Sequence, residues 1–509
     1  MIEVARCLQL GMPEGELVGM STAELIDAVA QLRSEVANLS AANAAAEVAR
    51  AGIAEGEDVL WKIDAAIVVF FMQAGFALLE VGSVRSKNTA NITMKNLLDT
   101  CTCCLVFWLW GWSIAAGDGP FAGTPRLPVF SAGELAPASS LLWFQSYAYM
   151  ATASTIVSGA IAERTQTSSY ISHAVVMAGL VYPVVAHWLW SPSGWLNPRN
   201  PSSFLGGAID CAGGAGVHLT GGIAAITGAV VVGPRAGRFN TITGEPQALP
   251  GQSLLFVVLG VFTMWFAWFP FNLGSLHTIR TIEGSGLDAV SRTVVCTVLS
   301  AASGGLTSVG LERALGKGRT WSLLQLCNGI LGGLVSITAG CAVVTSYSAA
   351  IIGALGGALQ RSSSYFVLHR LKVDDPVSAF SVHGACGAWS MVATALFASP
   401  SFTYAGEGLF YGGVHLLGSN VVAVIAICTW AGCICLALFW ALRHVGWLRV
   451  SSEFELVGVD IGEHGGPAYG VDPTDAPRPE FPPKYEQEIP AARSAALRHI
   501  GSGEAPNSV

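Results

Sequence analysis

Charged side chains are scarce in this sequence. Only 12% of the 509 residues are Asp, Glu, Lys or Arg, about half of the roughly 25% found in an average soluble domain. Hydrophobic residues make up 52% of the chain, and glycine contributes 59 residues. This composition argues against an ordinary soluble enzyme, and it excludes a disordered or collagen-like chain.

Three further patterns are missing, and each absence excludes a class of protein. There is no stripe of Lys and Arg, which argues against a nucleic-acid partner. The 12 cysteines include no two CxxC motifs, and most lie inside apolar runs, so neither a zinc site nor a secreted disulfide framework is supported. The N-terminus lacks the basic segment followed by an apolar segment that is typical of a cleaved signal peptide.

Long apolar stretches dominate the sequence instead. Each is close to the roughly 20 residues that a helix needs to cross a bilayer. They predict an all-α polytopic membrane protein with about eleven transmembrane helices in a domain over residues 59–442. The predicted spans are 59–82, 97–117, 139–161, 169–190, 213–232, 252–275, 291–310, 321–341, 345–367, 378–398 and 412–442.

The loops between these spans differ in basic charge, which predicts the orientation of the chain. One alternating set of loops carries only Arg126, Arg199 and Arg280. The other set carries thirteen Lys and Arg residues and is therefore predicted to be cytoplasmic. Because the number of spans is odd, the N-terminus is expected outside and the C-terminus in the cytoplasm, with the plasma membrane as the expected location.

Both ends of the chain are polar. Residues 1–58 are predicted to form an extracytoplasmic segment in which apolar residues recur at spacings of 4, 3, 4 and 3. This pattern fits either a single amphipathic helix or a short oligomerising coil. Residues 443–509 are predicted to be a cytoplasmic regulatory tail, irregular from about 451 because of its proline and charge content. The apolar residues of the N-terminal pattern are Leu25, Val29, Leu32, Val36 and Leu39.

Two histidines occupy matching positions in apolar surroundings. His218 and His383 each follow an Asp by eight residues and a Val by one, and each precedes a Gly by four residues. His218 opens the fifth span and His383 the tenth, so the pattern indicates two five-helix repeats of opposite topology plus one extra helix. Inverted repeats of this kind place their site near the membrane midplane. A lone histidine such as His187 or His415 is more simply a packing residue, whereas a matched pair favours function.

Four motifs then resemble one family, the ammonium transporters of the Amt/Mep/Rh superfamily. Residues 71–88 (FMQAGFALLEVGSVRSKN) resemble its opening motif, and residues 158–165 (SGAIAERT) resemble the end of its third helix. Residues 210–222 (DCAGGAGVHLTGG) resemble its signature helix, and residues 460–469 (DIGEHGGPAY) its cytoplasmic tail motif. The resemblance covers about 59–470 and fits the Amt branch better than the Rhesus branch.

The resemblance implies roles for particular residues. His218 and His383 match the twin histidines that line the narrow pore of the family. Tyr149 and Phe271 match its stacked hydrophobic gate. An outer recruitment site for ammonium is implied at Trp190, Ser275, Asp210 and Tyr149. Asp210 is equally well explained as the N-cap of its helix.

The resemblance also implies the partners of the chain. The family is trimeric with one pore in each subunit, so the expected partners are ammonium or ammonia, the lipid bilayer and two further copies. A cytoplasmic regulator acting on the tail is a further hypothesis. No cofactor, metal or enzymatic activity is implied.

Three positions depart from the family pattern. Tyr149 stands where the family usually has Phe, with one extra residue between Gln145 and Tyr149. Pro270 replaces a usual Gly, which predicts a stiffened or kinked sixth span. Gly462 occupies the tail position where plant-type members carry a phosphorylatable Thr, so that switch is predicted to be absent.

The predicted chemistry is selective ammonium recruitment followed by deprotonation. The face of Trp190 offers a cation–π contact worth roughly 0.5–2 kcal/mol, and the Ser275 oxygen accepts a hydrogen bond from ammonium that potassium cannot donate. Ammonia then passes the His pair, which can hold or relay the proton. The sequence leaves electrogenic and neutral transport open.

Three other functions remain as alternatives. An ammonium sensor with little net transport is kept by the Tyr149 and Pro270 departures and by the additional N-terminal segment, although no output domain follows. A Rhesus-like channel for neutral ammonia differs in producing no current. A membrane metalloenzyme is weakly supported, because two histidines without clustered further ligands make a poor metal site.

Overall fold

The computed structural model describes residues 21–124, 137–276, 286–316 and 319–469. Long helices follow one another along the described residues, and β-structure there is limited to isolated bridges. The chain divides into two compact units, Met1–Leu60 and Trp61–Val509. The long helices are α1 Thr22–Ser83, α2 Ser86–Ala116, α3 Pro137–Ala160, α4 Thr167–Trp190, α5 Gly214–Val232, α6 Leu254–Gly274, α7 Gly286–Leu315, α8 Leu323–Thr338, α9 Ser346–His369, α10 Phe380–Phe397 and α11 His415–His444.

These helices confirm the predicted all-α membrane fold. Among the described residues, eight helices are long and apolar enough to cross a membrane. The other three are α3, the 16-residue α8 and α9. Each predicted span overlaps the corresponding helix, in chain order from α1 to α11. An apolar run of this length forms a helix in a bilayer because a helix satisfies its own backbone hydrogen bonds.

The distribution of burial separates a central helix from peripheral ones. The most apolar part of α5 is 78% buried, whereas that of α11 is only 22% buried. Outward side chains on the peripheral helices are large and apolar, as with Leu255, Phe262 and Phe266 on α6. A helix that is apolar on all faces fits lipid on one side and protein on the other.

The first helix begins much earlier than the sequence predicts. It does not start near residue 59, since the chain is helical without a break from Thr22 to Ser83. The predicted apolar positions Val36 and Leu39 lie on this helix, where they are exposed. Residues 1–20 lie outside the described residues.

The expectation of an irregular tail is wrong for its first part. Two short helices, α12 Ser452–Val457 and α13 Val459–His464, follow α11. The carboxylate of Asp460 accepts hydrogen bonds from the amides of Ala90 and Asn91 at 2.9 and 2.8 Å, and so caps the first turn of α2. The sequence of the tail has no helical periodicity, so its short helices are stabilised by these tertiary hydrogen bonds. Residues 470–509 lie outside the described residues.

Gly462 in α13 has a packing role. A Cβ atom at this position would lie 2.5 Å from Cγ of Phe454. The ring of Phe454 therefore lies against the bare backbone of α13. A threonine at this position would displace it.

Candidate functional site

The two matched histidines meet at the centre of the fold. His218 lies in a π-helical segment, Gly214–Leu219, that opens α5, and His383 lies in the corresponding segment Phe380–Ala385 of α10. Their rings are stacked with centroids 5.2 Å apart, and the two Nδ1 atoms are 3.2 Å apart. Both side chains are buried. Turns of this kind are frequent at functional sites, because they re-aim a side chain out of the regular helical register.

Reciprocal glycine contacts bring the two histidine helices together. A Cβ atom on Gly222, four residues after His218, would lie 2.2 Å from the amide nitrogen of Gly384. A Cβ atom on Gly387, four residues after His383, would lie 2.8 Å from the amide nitrogen of Leu219. Each matched glycine thus contacts the residue that follows the histidine of the other helix. Small residues allow such close helix approach in membranes, which explains the repeated His-to-Gly spacing.

Each matched aspartate caps the N-terminal end of its own histidine helix. Asp210 accepts hydrogen bonds from four successive amides, Gly213 to Gly216, at 2.7–3.0 Å. Asp375 accepts one from the amide of Phe380 at 2.9 Å. Both carboxylate oxygens of Asp210 are thus engaged by backbone amides, as expected for a helix cap.

Aromatic rings enclose the histidine pair. The His218 ring stacks on Trp268 with centroids 4.9 Å apart and an interplanar angle of 16°, and it contacts Phe271 at 5.5 Å. The His383 ring contacts Phe76 at 5.9 Å. Trp268 is fixed by a 3.1 Å hydrogen bond from its Nε1 to the Thr338 hydroxyl. The two imidazoles are therefore polar groups in a largely aromatic and apolar surrounding.

Tyr149 packs against Phe271, which itself contacts His218. The rings of Tyr149 and Phe271 meet edge to face with centroids 4.6 Å apart at 86°. The Tyr149 hydroxyl lies 2.8 Å from the Phe271 carbonyl oxygen and 2.9 Å from the Ser275 hydroxyl. Three of the predicted site residues thus form one connected unit. It joins the pair through the contact between Phe271 and His218.

Trp190 lies apart from that unit. Its Nε1 donates a 3.0 Å hydrogen bond to the Asp210 carbonyl, and its ring packs so closely on α5 that a Cβ on Gly216 would lie 2.6 Å from it. Within the described residues, the hydrogen bonds and ring contacts of Trp190 do not include Tyr149 or Ser275. The predicted recruitment residues therefore form two groups, Trp190 with Asp210 and Tyr149 with Ser275.

A small cavity borders His383, and Tyr149 is not among the residues that line it. Its volume is about 20 Å³, and it is lined by apolar side chains together with His383 and Glu80. Glu80, Phe76 and Trp268 were not among the site residues predicted from the sequence. An acidic residue inside an apolar span is a signal that could have identified Glu80, whereas the two aromatics are indistinguishable from ordinary apolar residues in the sequence.

His187, one of the two histidines predicted to be packing residues, is held by the backbone. Its Nδ1 and Nε2 lie 3.2 and 2.6 Å from the carbonyl oxygens of Ala115 and Gly119. In the part of the chain that the structure describes, no group of three or more His, Cys, Asp or Glu side chains is arranged to hold a metal ion.

Comparison with known proteins gives a consistent picture. Residues 60–469 match the model of the Ammonium Transporter Family. The chain is 38% identical over 438 residues to ammonium transporter 1 member 3 of Solanum lycopersicum, with 82% of this chain and 94% of that protein covered. It is 39% identical over 424 residues to ammonium transporter Amt2 of Archaeoglobus fulgidus, covering 81% and 88%.

Solved structures agree with the sequence relatives. A structure titled Sensor Amt Protein matches with a TM-score of 0.73 and 33% identity, covering 81% of this chain and 99% of that one. Candida albicans Mep2 matches with a TM-score of 0.70 and 25% identity, covering 83% and 92%. With the family model spanning most of the sequence, this chain belongs to the Ammonium Transporter Family.

Proposed function

We propose that this chain transports ammonium across the membrane through the passage that His218 and His383 line. The observation that carries the proposal is the buried contact between the two imidazoles inside an aromatic enclosure. An isolated cation at the bilayer centre costs from about 3 to more than 10 kcal/mol. The passage is therefore suited to ammonia, and the proton needs a separate carrier.

The contact between the imidazoles defines how the pair can act. A hydrogen bond between two Nδ1 atoms requires one imidazole to donate and the other to accept. In the neutral pair the donor then has a free lone pair on Nε2, and the acceptor carries its proton on Nε2. The pair therefore presents one acceptor and one donor along the passage. Ammonia can hydrogen-bond to both, and the acceptor can take a proton from ammonium.

Recruitment occurs at the outer end in two steps. Trp190 offers the cation–π face, and the carboxylate of Asp210 adds a favourable field. The hydroxyls of Tyr149 and Ser275 then accept hydrogen bonds from ammonium as it loses water. The edge-to-face contact of Tyr149 with Phe271 closes the way to hydrated ions, since a T-shaped pair at 4.6 Å leaves no room for a water molecule between the rings.

The proposal extends to location and assembly. The bias of basic residues supports a plasma-membrane protein with its N-terminus outside and residues 443–509 in the cytoplasm, where a regulator of the tail would act. The exposed heptad positions of residues 1–58 support a homotrimer reinforced by this segment. The mass of the detergent-solubilised protein tests the trimer, and a monomer would contradict it.

Transport is tested with purified protein in proteoliposomes. An ammonium gradient is expected to evoke a current that a potassium gradient does not. The His218→Ala variant is expected to assemble normally but to lose this current or its preference for ammonium, because half of the imidazole pair is missing. Unchanged current and selectivity in His218→Ala would remove the assigned role. A shift of internal pH without current would identify a conductor of neutral ammonia.

A further inference from the structure

One buried carboxylate shares a cavity with His383 and has no role in the function described so far. Glu80, one turn from the end of α1, is 1% exposed. It lines the same 20 Å³ cavity as His383. A cavity of this volume holds about one water molecule. A water molecule in this cavity is the link between the imidazole of His383 and the carboxylate of Glu80 on which the inference below depends.

The carboxylate is held in place by two neighbouring helices. Asn96 on α2 donates a 2.7 Å hydrogen bond to Oε2, and the Ser158 hydroxyl on α3 donates to Oε1. A Cβ atom on Gly159 would lie 3.1 Å from Oε1, so α3 offers bare backbone where the carboxylate sits. Glu80 is thus pre-positioned at the cavity with a fixed rotamer.

Within the described residues, Glu80 forms no salt bridge. Two charged groups act on it electrostatically. Asp99 accepts a 2.6 Å hydrogen bond from the Ser154 hydroxyl, and the Lys95 ammonium donates to the Thr165 carbonyl oxygen. Glu80 also lies near the C-terminal end of α1, where the helix dipole disfavours negative charge. A carboxylate that is hydrogen-bonded but not ion-paired, and that lies deep in the protein, is a good proton acceptor.

We infer that Glu80 takes the proton from the histidine pair and passes it to the cytoplasmic side. This inference rests on the proposed function and specifies how the proton leaves the pair. Ammonium transfers a proton to an imidazole, which yields ammonia and imidazolium. The imidazolium then returns to neutral as the Glu80 carboxylate becomes a carboxylic acid. Release of that proton to cytoplasmic water restores the carboxylate, so only N–H and O–H bonds change and one positive charge crosses.

The test compares Glu80→Gln with Asp99→Asn in proteoliposomes. Gln keeps the size of Glu80 and both hydrogen bonds, because the Ser158 hydroxyl can accept as well as donate, but it cannot carry a proton. Asp99→Asn removes a neighbouring buried carboxylate that does not line the cavity. Two readouts are followed, namely the ammonium-evoked current and the internal pH. Ammonia that enters alone alkalinises the interior, whereas ammonia that enters together with its proton does not.

In Glu80→Gln we expect the current to fall by at least about tenfold and the interior to become more alkaline than with the unmodified protein, because ammonia then enters without its proton. Asp99→Asn is expected to keep its current within about threefold, and Glu80→Asp to keep more current than Glu80→Gln. An unchanged current in Glu80→Gln would overturn the inference, as would loss of the current without alkalinisation, which marks a structural role. If the unmodified protein itself alkalinises the vesicles without current, the proton relay of the proposed function fails, and Glu80 with it.

Discussion

Tyr149 shows how one hydroxyl connects two parts of the passage. Its ring forms the contact with Phe271, and its hydroxyl joins the Phe271 carbonyl and Ser275. The ring and the hydroxyl therefore have separable roles, one steric and one polar. A phenylalanine retains the first role only.

Substitutions at Tyr149 are expected to separate these roles. Tyr149→Phe should keep the exclusion of potassium and lower the free energy of unfolding by about 1 kcal/mol, the usual value of a lost hydrogen bond. Tyr149→Ala should admit hydrated ions, because the edge-to-face contact is gone. Potassium-evoked current in proteoliposomes measures the exclusion, and thermal unfolding in detergent measures the stability. A Tyr149→Ala protein that still excludes potassium would show that the ring is not the barrier.

Individual site residues were predictable where their identity was unusual. His218 and His383 stand out because ionisable residues are rare in apolar spans, and their matched flanks revealed the pairing. Trp268 and Phe76 could not be found in the same way, since their relation to the pair is created by the packing of α6 and α1 against α5 and α10. Asp210 was recognisable as a cap from its Gly-rich sequel, and the structure shows four amides bound to it.

At the level of helices, the crossing of α5 and α10 fixes the position of both histidines. The backbones approach so closely at Gly222 and Gly387 that no side chain fits. Any added methyl group must push the helices apart, and with them the two imidazoles. The crossing therefore determines the distance between the Nδ1 atoms.

Gly222→Ala is expected to impair both stability and transport. The new Cβ would lie 2.2 Å from the amide nitrogen of Gly384, and overpacking of this kind typically costs about 1–3 kcal/mol. Gly310→Ala on α7 is the matched control, because nothing lies within 4 Å of its Cβ position. Thermal unfolding and ammonium-evoked current should change in Gly222→Ala but not in Gly310→Ala. Equal behaviour of the two variants would contradict the proposed constraint.

The boundaries of the helices followed from composition, but their internal geometry did not. Apolar runs gave the ends of α4 and α10 within a few residues. The π-helical segments at the two histidines depend on hydrogen bonds such as that from the His218 amide to the Gly213 carbonyl at 3.1 Å, which no periodicity encodes. The short helices α12 and α13 form because Asp460 and its neighbours bind the body of the protein. The sequence of the tail alone does not show these distant contacts.

At the scale of the whole molecule, buried ion pairs connect the two repeats between the end of α5 and the start of α10. Arg235, after α5, binds Asp374, before α10, with its Nε 2.8 Å from Oδ2. It also contacts Glu163 at 3.3 Å, and Glu163 pairs with Arg85. Burial alone would raise the pKa of Asp374 and of Glu163, but the adjacent guanidinium groups outweigh it and hold both pKa values below their usual range.

This network predicts an acid-dependent loss of stability. Because the folded-state pKa values are lowered, the carboxylates stabilise the protein fully above their unfolded values, near pH 4, and less as the pH falls through the folded values. Arg235→Gln should cost about 3–5 kcal/mol near neutral pH, since it leaves buried carboxylates uncompensated, and should move acid unfolding to higher pH. Thermal unfolding across pH measures both effects.

The control for this prediction is a more exposed ion pair. Arg361 and Glu312 are 3.1 Å apart, with side chains 14% and 33% exposed. Arg361→Gln is expected to cost no more than about 1 kcal/mol. If Arg235→Gln were as mild as Arg361→Gln, the buried network would not hold the repeats together.

The reciprocal crossing of α5 and α10 also bears on the direction of flow. In the proposed passage, the two imidazoles at this crossing come from inverted copies and are offered alike to a molecule arriving from either side. The histidine pair itself should then impose little rectification, and the concentration and voltage gradients should decide the net direction. Any kinetic difference between influx and efflux must arise where the copies diverge. Glu80, Trp190 and the Asp210 cap are the places to look for it.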